Sequence, residues 1–376
     1  MRYFNTTGIC YPKKHYMVDI SNRLADIERR VDKGEYITIN RGRQYGKTTT
    51  LYHLTNKLME NYVVFSISFE AMGETEFKTE DTLSYYFLER LRAETKFAKN
   101  INDYVKNAIC NIVAQNSDEC QIKFSLLEDF ISDICVKSDK PIVLIIDEVD
   151  SASNYESFIK LLRMLRSKYL KSEQIATFQS VILAGVYDIK NLKLKVRPDS
   201  DHQYNSPWNI AVSYTADMSL STNGINQMLQ EYESDHHTGM DTAAIAQMIT
   251  DYTSGYPFFV SRVCQLIDEQ NITWDKEGIL NAVKLILNER NTLFDEIFDL
   301  MTNYSSMKTV IEMLLNGRYL TFNCYAKSLD IASTFNIISD DNGQAKIANK
   351  IFENRFKNYF EFEKYISTDT AIQTRG

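Results

Sequence analysis

The run Arg41-Gly42-Arg43-Gln44-Tyr45-Gly46-Lys47-Thr48 carries the residue types that hold a polyphosphate. Two or three linked phosphates crowd negative charge into a small volume. A chain that turns tightly into a helix start answers that charge with several backbone N–H groups and the helix dipole. Gly46 permits close approach of the backbone. Lys47 can reach the terminal phosphates, the Thr48 hydroxyl can ligate Mg2+, and Thr49 belongs to the same helix start. The usual spacing is GxxxxGK[ST]. Here Arg41 stands at the first glycine position and the glycine comes one place later, at Gly42, so the match is a variant. Taken alone, the run also reads as a solvated basic turn before a helix. Arg41 and Arg43 either neutralise phosphate charge or face solvent.

A second group of residues sharpens the first. PIVLIIDEVD is an apolar strand that ends in Asp147-Glu148. Delivering two adjacent carboxylates at the end of a buried run is costly unless they are used. Asp147 can hold Mg2+ through water opposite Thr48, and Glu148 can orient or activate an attacking water. Asp150 reads as a cap of the following segment or as a group that binds near its start. Glu70, just past an earlier strand, is a further candidate for placing water. Together the two motifs point to binding of a nucleoside triphosphate. The absence of a base-reading NKxD run favours ATP over GTP.

The elements that must position these groups are legible from periodicity. Ser21 can cap a helix over about 22–32, with Leu24, Ile27 and Val31 on one stripe. Tyr36–Asn40 reads as a strand, residues 47–60 as a helix, Tyr62–Phe69 as a second strand and 71–80 as a loop. Residues 81–138 read as an inserted helical element. Ile142–Ile146 is a third strand, 155–169 a helix and Val181–Val186 a fourth strand. Residues 188–207 are polar and irregular, and Trp208–Tyr214 is a candidate fifth strand. Strands alternating with helices argue for a largely parallel sheet covered on both faces. Beyond residue 218 helices take over, at Ser221–Leu229, Met240–Asp251 and Pro257–Asn271. Ile337–Ala348 reads as a hairpin around Asn342-Gly343. Helices followed by such a hairpin suit a winged-helix module, and Thr368–Gly376 reads as a frayed end. The expected division is a core around the phosphate turn over 1–217, with its helical insertion at about 71–138, a helical segment over 218–275, which the resemblance given below makes a lid, and a winged-helix-like domain over 276–376.

Composition narrows the classes. The chain has 376 residues with 5 prolines and 13 glycines, which excludes collagen-like and Pro/Gly-linker proteins. Its formal charge of -8 makes it a poor generic nucleic-acid binder, although a local basic face is compatible with it. The six cysteines are scattered without a CxxC pair, the pattern of reduced thiols in the cytoplasm. No apolar run is long enough for a bilayer, and MRYFNTTG is not followed by a signal segment. His236 and His237 are adjacent but have no metal-spaced partner nearby, so they read as a solvated loop.

RGRQYGKTTTL, IIDEVD, ILAGVYDIKNL and DYTSGYPFFVSR together resemble the AAA-like ATPases of prokaryotes, close to the STAND and archaeal-type P-loop ATPases. The resemblance covers roughly residues 10–270. It implies a P-loop NTPase sheet in which the Asp-Glu strand lies beside a sensor strand that neighbours the phosphate-loop strand. Val181–Val186 would be that sensor strand. Gly185 stands where a polar sensor is usual, with Tyr187 or Asp188 as substitutes. Ser254-Gly255-Tyr256-Pro257 resembles a turn that places Gly255 and Pro257 against nucleotide from the lid. It equally reads as a glycine C-cap followed by a proline-led helix. The resemblance further suggests that Tyr16 or Met17 packs on adenine, that Arg262 reads the γ-phosphate, and that Arg166, on one helix with Arg163, serves a neighbouring subunit of a homo-oligomer. Tyr16 and Met17 serve equally as core residues, and an ion pair on the helix surface is the competing role of the two arginines.

Three functions fit these residues. One is an Mg-dependent ATPase, a switch or motor that couples nucleotide state to a C-terminal protein partner. Another holds nucleotide without turning it over. The last acts on DNA through the winged-helix-like end, where Lys346, Lys350, Arg355 and Lys357 form a basic set. A small-acceptor kinase fits less well, because the acidic strand end and the extra C-terminal domain favour attack by water.

Overall fold

The computed structural model describes residues 2–186, 210–214, 218–323 and 325–373, with side chains of the last helix described as far as residue 365. The chain forms two compact units. One, the sheet unit, comprises Ile20–Arg41 and Lys47–Ala216; the other comprises Met1–Asp19, Gly42–Gly46 and Asp217–Gly376.

In the sheet unit, α1 (Ser21–Asp32) precedes β1 (Ile37–Asn40), α2 (Lys47–Leu58), β2 (Val63–Ser68) and the short α3 (Glu74–Phe77). Next come α4 (Glu80–Glu94), α5 (Asp103–Gln115), α6 (Phe124–Lys137), β3 (Ile142–Asp147), α7 (Glu156–Leu170), β4 (Ser180–Gly185) and β5 (Val212–Ser213). The strands form one parallel sheet in the order β2-β3-β4-β1-β5. Strands buried on both faces need unbroken apolar runs, and β3 is buried from Ile142 to Ile146 while every residue of β4 is buried. Parallel neighbours require helical crossovers, which α2, the α3–α6 insertion and α7 supply. The register pairs Asn40 with Gly185 and Ser68 with Asp147, so these residues share the carboxyl edge of the sheet.

The expected sheet order is the observed one, and most boundaries agree within a few residues. Three local readings are corrected. Ser21 is the first helical residue and not the cap, because the ladder begins with the Leu24 amide on the Ile20 carbonyl. Residues 71–80 contain the turn of helix α3, which buries Phe77 against Phe69 and stacks it on Tyr155. Trp208–Tyr214 contributes only Val212–Ser213 as a strand among the described residues. The irregular stretch 188–207, Tyr187 and Trp208 lie outside the described residues.

The second unit holds α8 (Thr222–His236), α9 (Thr242–Thr253), α10 (Pro257–Glu269), α11 (Lys276–Asn288), α12 (Thr292–Asn303), α13 (Ser305–Leu315) and α14 (Lys327–Thr334). It ends with β6 (Ile338–Asp341), β7 (Gln344–Ile347) and α15 (Lys350–Gln373). Ser221 caps α8 as expected, but the helix runs past Leu229 because buried Tyr232 continues its stripe and the half-buried His236 ring stacks on it at 4.1 Å. The hairpin forms where Asn342-Gly343 predicts it. Both residues have positive φ, 52° and 85°, as a type I′ turn requires. Thr321 adds a bridge to Gln344, extending the hairpin by one more short pairing.

Candidate nucleotide-binding site

At the carboxyl edge of the sheet unit, α2 begins at Lys47, so its first amides have no partner within the helix. The Lys47 side chain is buried, and its ammonium donates to the Arg41 carbonyl at 2.9 Å. That bond ties the two ends of the turn together. Arg41 is anchored in turn by its amide on the Gly185 carbonyl at 3.1 Å, while its guanidinium donates to the Asn40 carbonyl. Thr48 Oγ1 donates to Asp147 Oδ2 at 3.0 Å. The two residues expected to share a metal ion are therefore in contact, although they lie 99 positions apart in the sequence.

Asp147 also accepts the Glu148 amide at 2.9 Å. Burial raises the Asp147 carboxyl above the ordinary aspartate range, the Glu70 charge adds to the rise, and Thr48, the Glu148 amide and the Lys47 charge oppose it. A carboxylate held in this way gains from a cation. The described residues hold no cluster of three or more His, Cys, Asp or Glu side chains that would bind a metal unaided. A hydroxyl beside one carboxylate is instead the hard-oxygen set that suits Mg2+ shared with substrate phosphates, so the residues present fit that ion.

Glu148 sits in the left-handed region, with φ 54° and ψ 42°. For a non-glycine residue this costs about 1–2 kcal/mol. Nothing in the sequence signals that strain. Asp150 does not cap the next segment; its carboxylate accepts the Val186 amide just beyond β4. A Cβ at Gly185 would lie 2.8 Å from Asp150 Oδ2 and 2.9 Å from Val149 Cγ2. Glycine therefore stands at position 185 because Asp150 and Val149 fill the space.

The middle of the turn, Gly42–Gly46, groups with the second unit. The Tyr256 hydroxyl donates to the Arg43 carbonyl at 2.7 Å, and the Tyr45 ring meets Tyr256 edge-on at 4.7 Å. Tyr256 was not among the expected site residues, although it lies between Gly255 and Pro257, which were. Gly255 has φ +73°, and a Cβ there would lie 2.2 Å from the Leu220 carbonyl oxygen. Pro257 opens α10 at its first turn. Arg43 pairs with Glu296 at 3.1 Å, and Gln44 Nε2 lies 3.4 Å from Thr292 Oγ1.

Several expected site residues are engaged elsewhere. Tyr16 is a core residue of the second unit: its ring packs on Phe4 and Tyr232, with the Arg2 guanidinium 4.6 Å from its centroid, and its hydroxyl donates to Asp235 at 2.8 Å. Arg262 donates twice to Glu289 Oε2, at 3.1 and 2.7 Å. Arg163 and Arg166 form no ion pair among the described residues, so the expected helix-surface pair is not there. Thr49 follows Thr48 in the first turn of α2.

A parallel sheet in this order, with a lysine-threonine helix start facing an Asp-Glu strand end, defines the P-loop NTPase class. The chain belongs to the AAA-like domain family, whose model matches residues 16–313. Its fold is similar to that of a Walker-type ATPase of Pyrococcus abyssi, with a TM-score of 0.62 at 12% identity over 94% of this chain and 99% of that one. An ORC2 protein of Aeropyrum pernix solved as ADPNP–ADP complexes is more distant, with a TM-score of 0.45 at 11% identity over 91% of this chain and 93% of that one. No curated protein matches the sequence.

Proposed function

We propose that this chain binds ATP with Mg2+ at the Arg41–Thr48 turn and hydrolyses it. The observation that carries the reading is the Thr48–Asp147 contact at 3.0 Å, with Lys47 buried at the same strand edge. Thr48 and Asp147 would hold Mg2+, which supplies charge neutralisation on the phosphates. Lys47 leaves the Arg41 carbonyl for the terminal phosphates, and the turn amides stabilise charge on the transferred group. Glu148 orients water for in-line attack. Residues 218–275 serve as the lid and 276–376 as a winged-helix-like output domain whose position follows nucleotide state.

A protein partner for that domain is favoured over DNA. Lys346 pairs with Asp341, Lys357 with Glu353, Lys350 lies over the Tyr252 ring and Arg355 lies over Phe294, so this basic set is neutralised or covered within the unit. Cytoplasmic placement rests on the five described cysteines, all free thiols. No helix among the described residues is long and apolar enough to cross a membrane.

Phosphate release at millimolar Mg-ATP tests the proposal. Wild type should turn over, and Glu148→Gln should bind ATP but release phosphate at least about a hundredfold more slowly. Chelation of Mg2+ should stop release. A wild-type chain indifferent to Mg-ATP ends the proposal.

A further inference from the structure

The phosphate turn departs from its usual spacing at one place, where glycine falls at 42 instead of 41. A Cβ at Gly42 would lie 2.8 Å from the Phe335 carbonyl oxygen. The displaced glycine thus makes room for the turn between α14 and β6. Next to it, the Gly42 amide donates to Asn336 Oδ1 at 3.4 Å. Arg43 Nε donates to Glu296 Oε1 at 3.1 Å, and Gln44 Nε2 donates to Thr292 Oγ1 at 3.4 Å. Three consecutive residues of a turn suited to phosphate therefore spend donors on oxygen acceptors, one of them a carboxylate. A polyphosphate offers the same chemistry: oxygens, negatively charged.

From this we infer that the α14–β6 turn and the α12 face, through Asn336, Glu296 and Thr292, compete with ATP for the donors of Gly42–Gln44, so that nucleotide binding releases the C-terminal hairpin. The inference rests on the proposed ATP site and adds the residues that regulate it. By linkage, the contact weakens ATP binding by the same factor as ATP weakens the contact, so loosening the contact tightens ATP. Asn336 has φ +56°, so glycine keeps the turn while removing the acceptor. A merely structural contact behaves in the opposite way, since its loss loosens the turn and weakens ATP.

The test is calorimetric titration of the full chain with ATP and Mg2+, set beside hydrogen exchange. Asn336→Gly should bind ATP about fivefold tighter, the worth of one ordinary hydrogen bond. Glu296→Gln should also bind more tightly, by freeing Arg43. Asn336→Asp keeps the acceptor, adds charge that repels phosphate and should bind more weakly than wild type. In wild type, ATP should speed amide exchange at Asn336 and Ile337. Wild-type binding with Asn336→Gly and Glu296→Gln no tighter, or no exchange change on ATP addition, overturns the inference alone. A wild type that binds no ATP overturns both the site and the competition.

Discussion

Glu148 and Asp147 are adjacent, yet each carries a different cost. Glu148 is strained in its backbone, while the Asp147 carboxyl lies where burial disfavours its charged form. Removing either cost should stabilise the protein and harm its chemistry. Glu148→Gly should gain roughly 0.5–1 kcal/mol, the relief of left-handed strain less the chain entropy of glycine, and lose turnover. Thermal denaturation together with phosphate release checks both halves. For Asp147 the folded-state pKa lies above the unfolded one, so its contribution to stability is full at low pH and is lost as pH rises through the folded value. The advantage of Asp147→Asn over wild type, without nucleotide, should therefore grow as pH rises above about 4, the ordinary aspartate value. A melting-temperature difference flat with pH would show that burial does not tax this carboxylate. Lys47→Ala should abolish ATP-dependent stabilisation, because it removes the buried ammonium that would reach the terminal phosphates.

At the scale of elements, the strand edge is built by close backbone approaches that admit no side chain. Gly185→Ala should cost about 1–3 kcal/mol by overpacking against Asp150 and Val149. It should also displace the Val186 amide from Asp150, and urea denaturation would read the loss. Sequence reading placed the strands, the helices between β2 and β3, the helices after residue 218 and the Asn342-Gly343 hairpin, since each depends on local periodicity or turn chemistry. It misread Asp150 and passed over Tyr256. Asp150 looked like a cap because capping is the local use of an aspartate; its actual partner is the Val186 amide at the end of another strand. Tyr256 stood only as a member of the Ser254–Pro257 turn, and only the fold brings its hydroxyl to the Arg43 carbonyl.

For the whole molecule, the formal charge of -8 and the internal pairing of Lys346 and Lys357 argue against a nucleic-acid surface on the C-terminal hairpin. A duplex DNA fragment at low salt should therefore not be retarded by the full chain; a salt-dependent shift would restore the DNA reading. By itself, the sequence determined a largely parallel sheet and the types of residue brought to its edge, while the strand order followed from the family resemblance. Buried β-rich runs, helix stripes and a lysine-threonine helix start are local patterns whose physics acts over a few residues. Only the tertiary structure decided why glycine stands at 42 and 185, where Arg262 and Tyr16 spend their polar groups, and which side chains occupy the donors of the turn. Those outcomes depend on contacts between residues tens to hundreds of positions apart, and no spacing along a single chain encodes them.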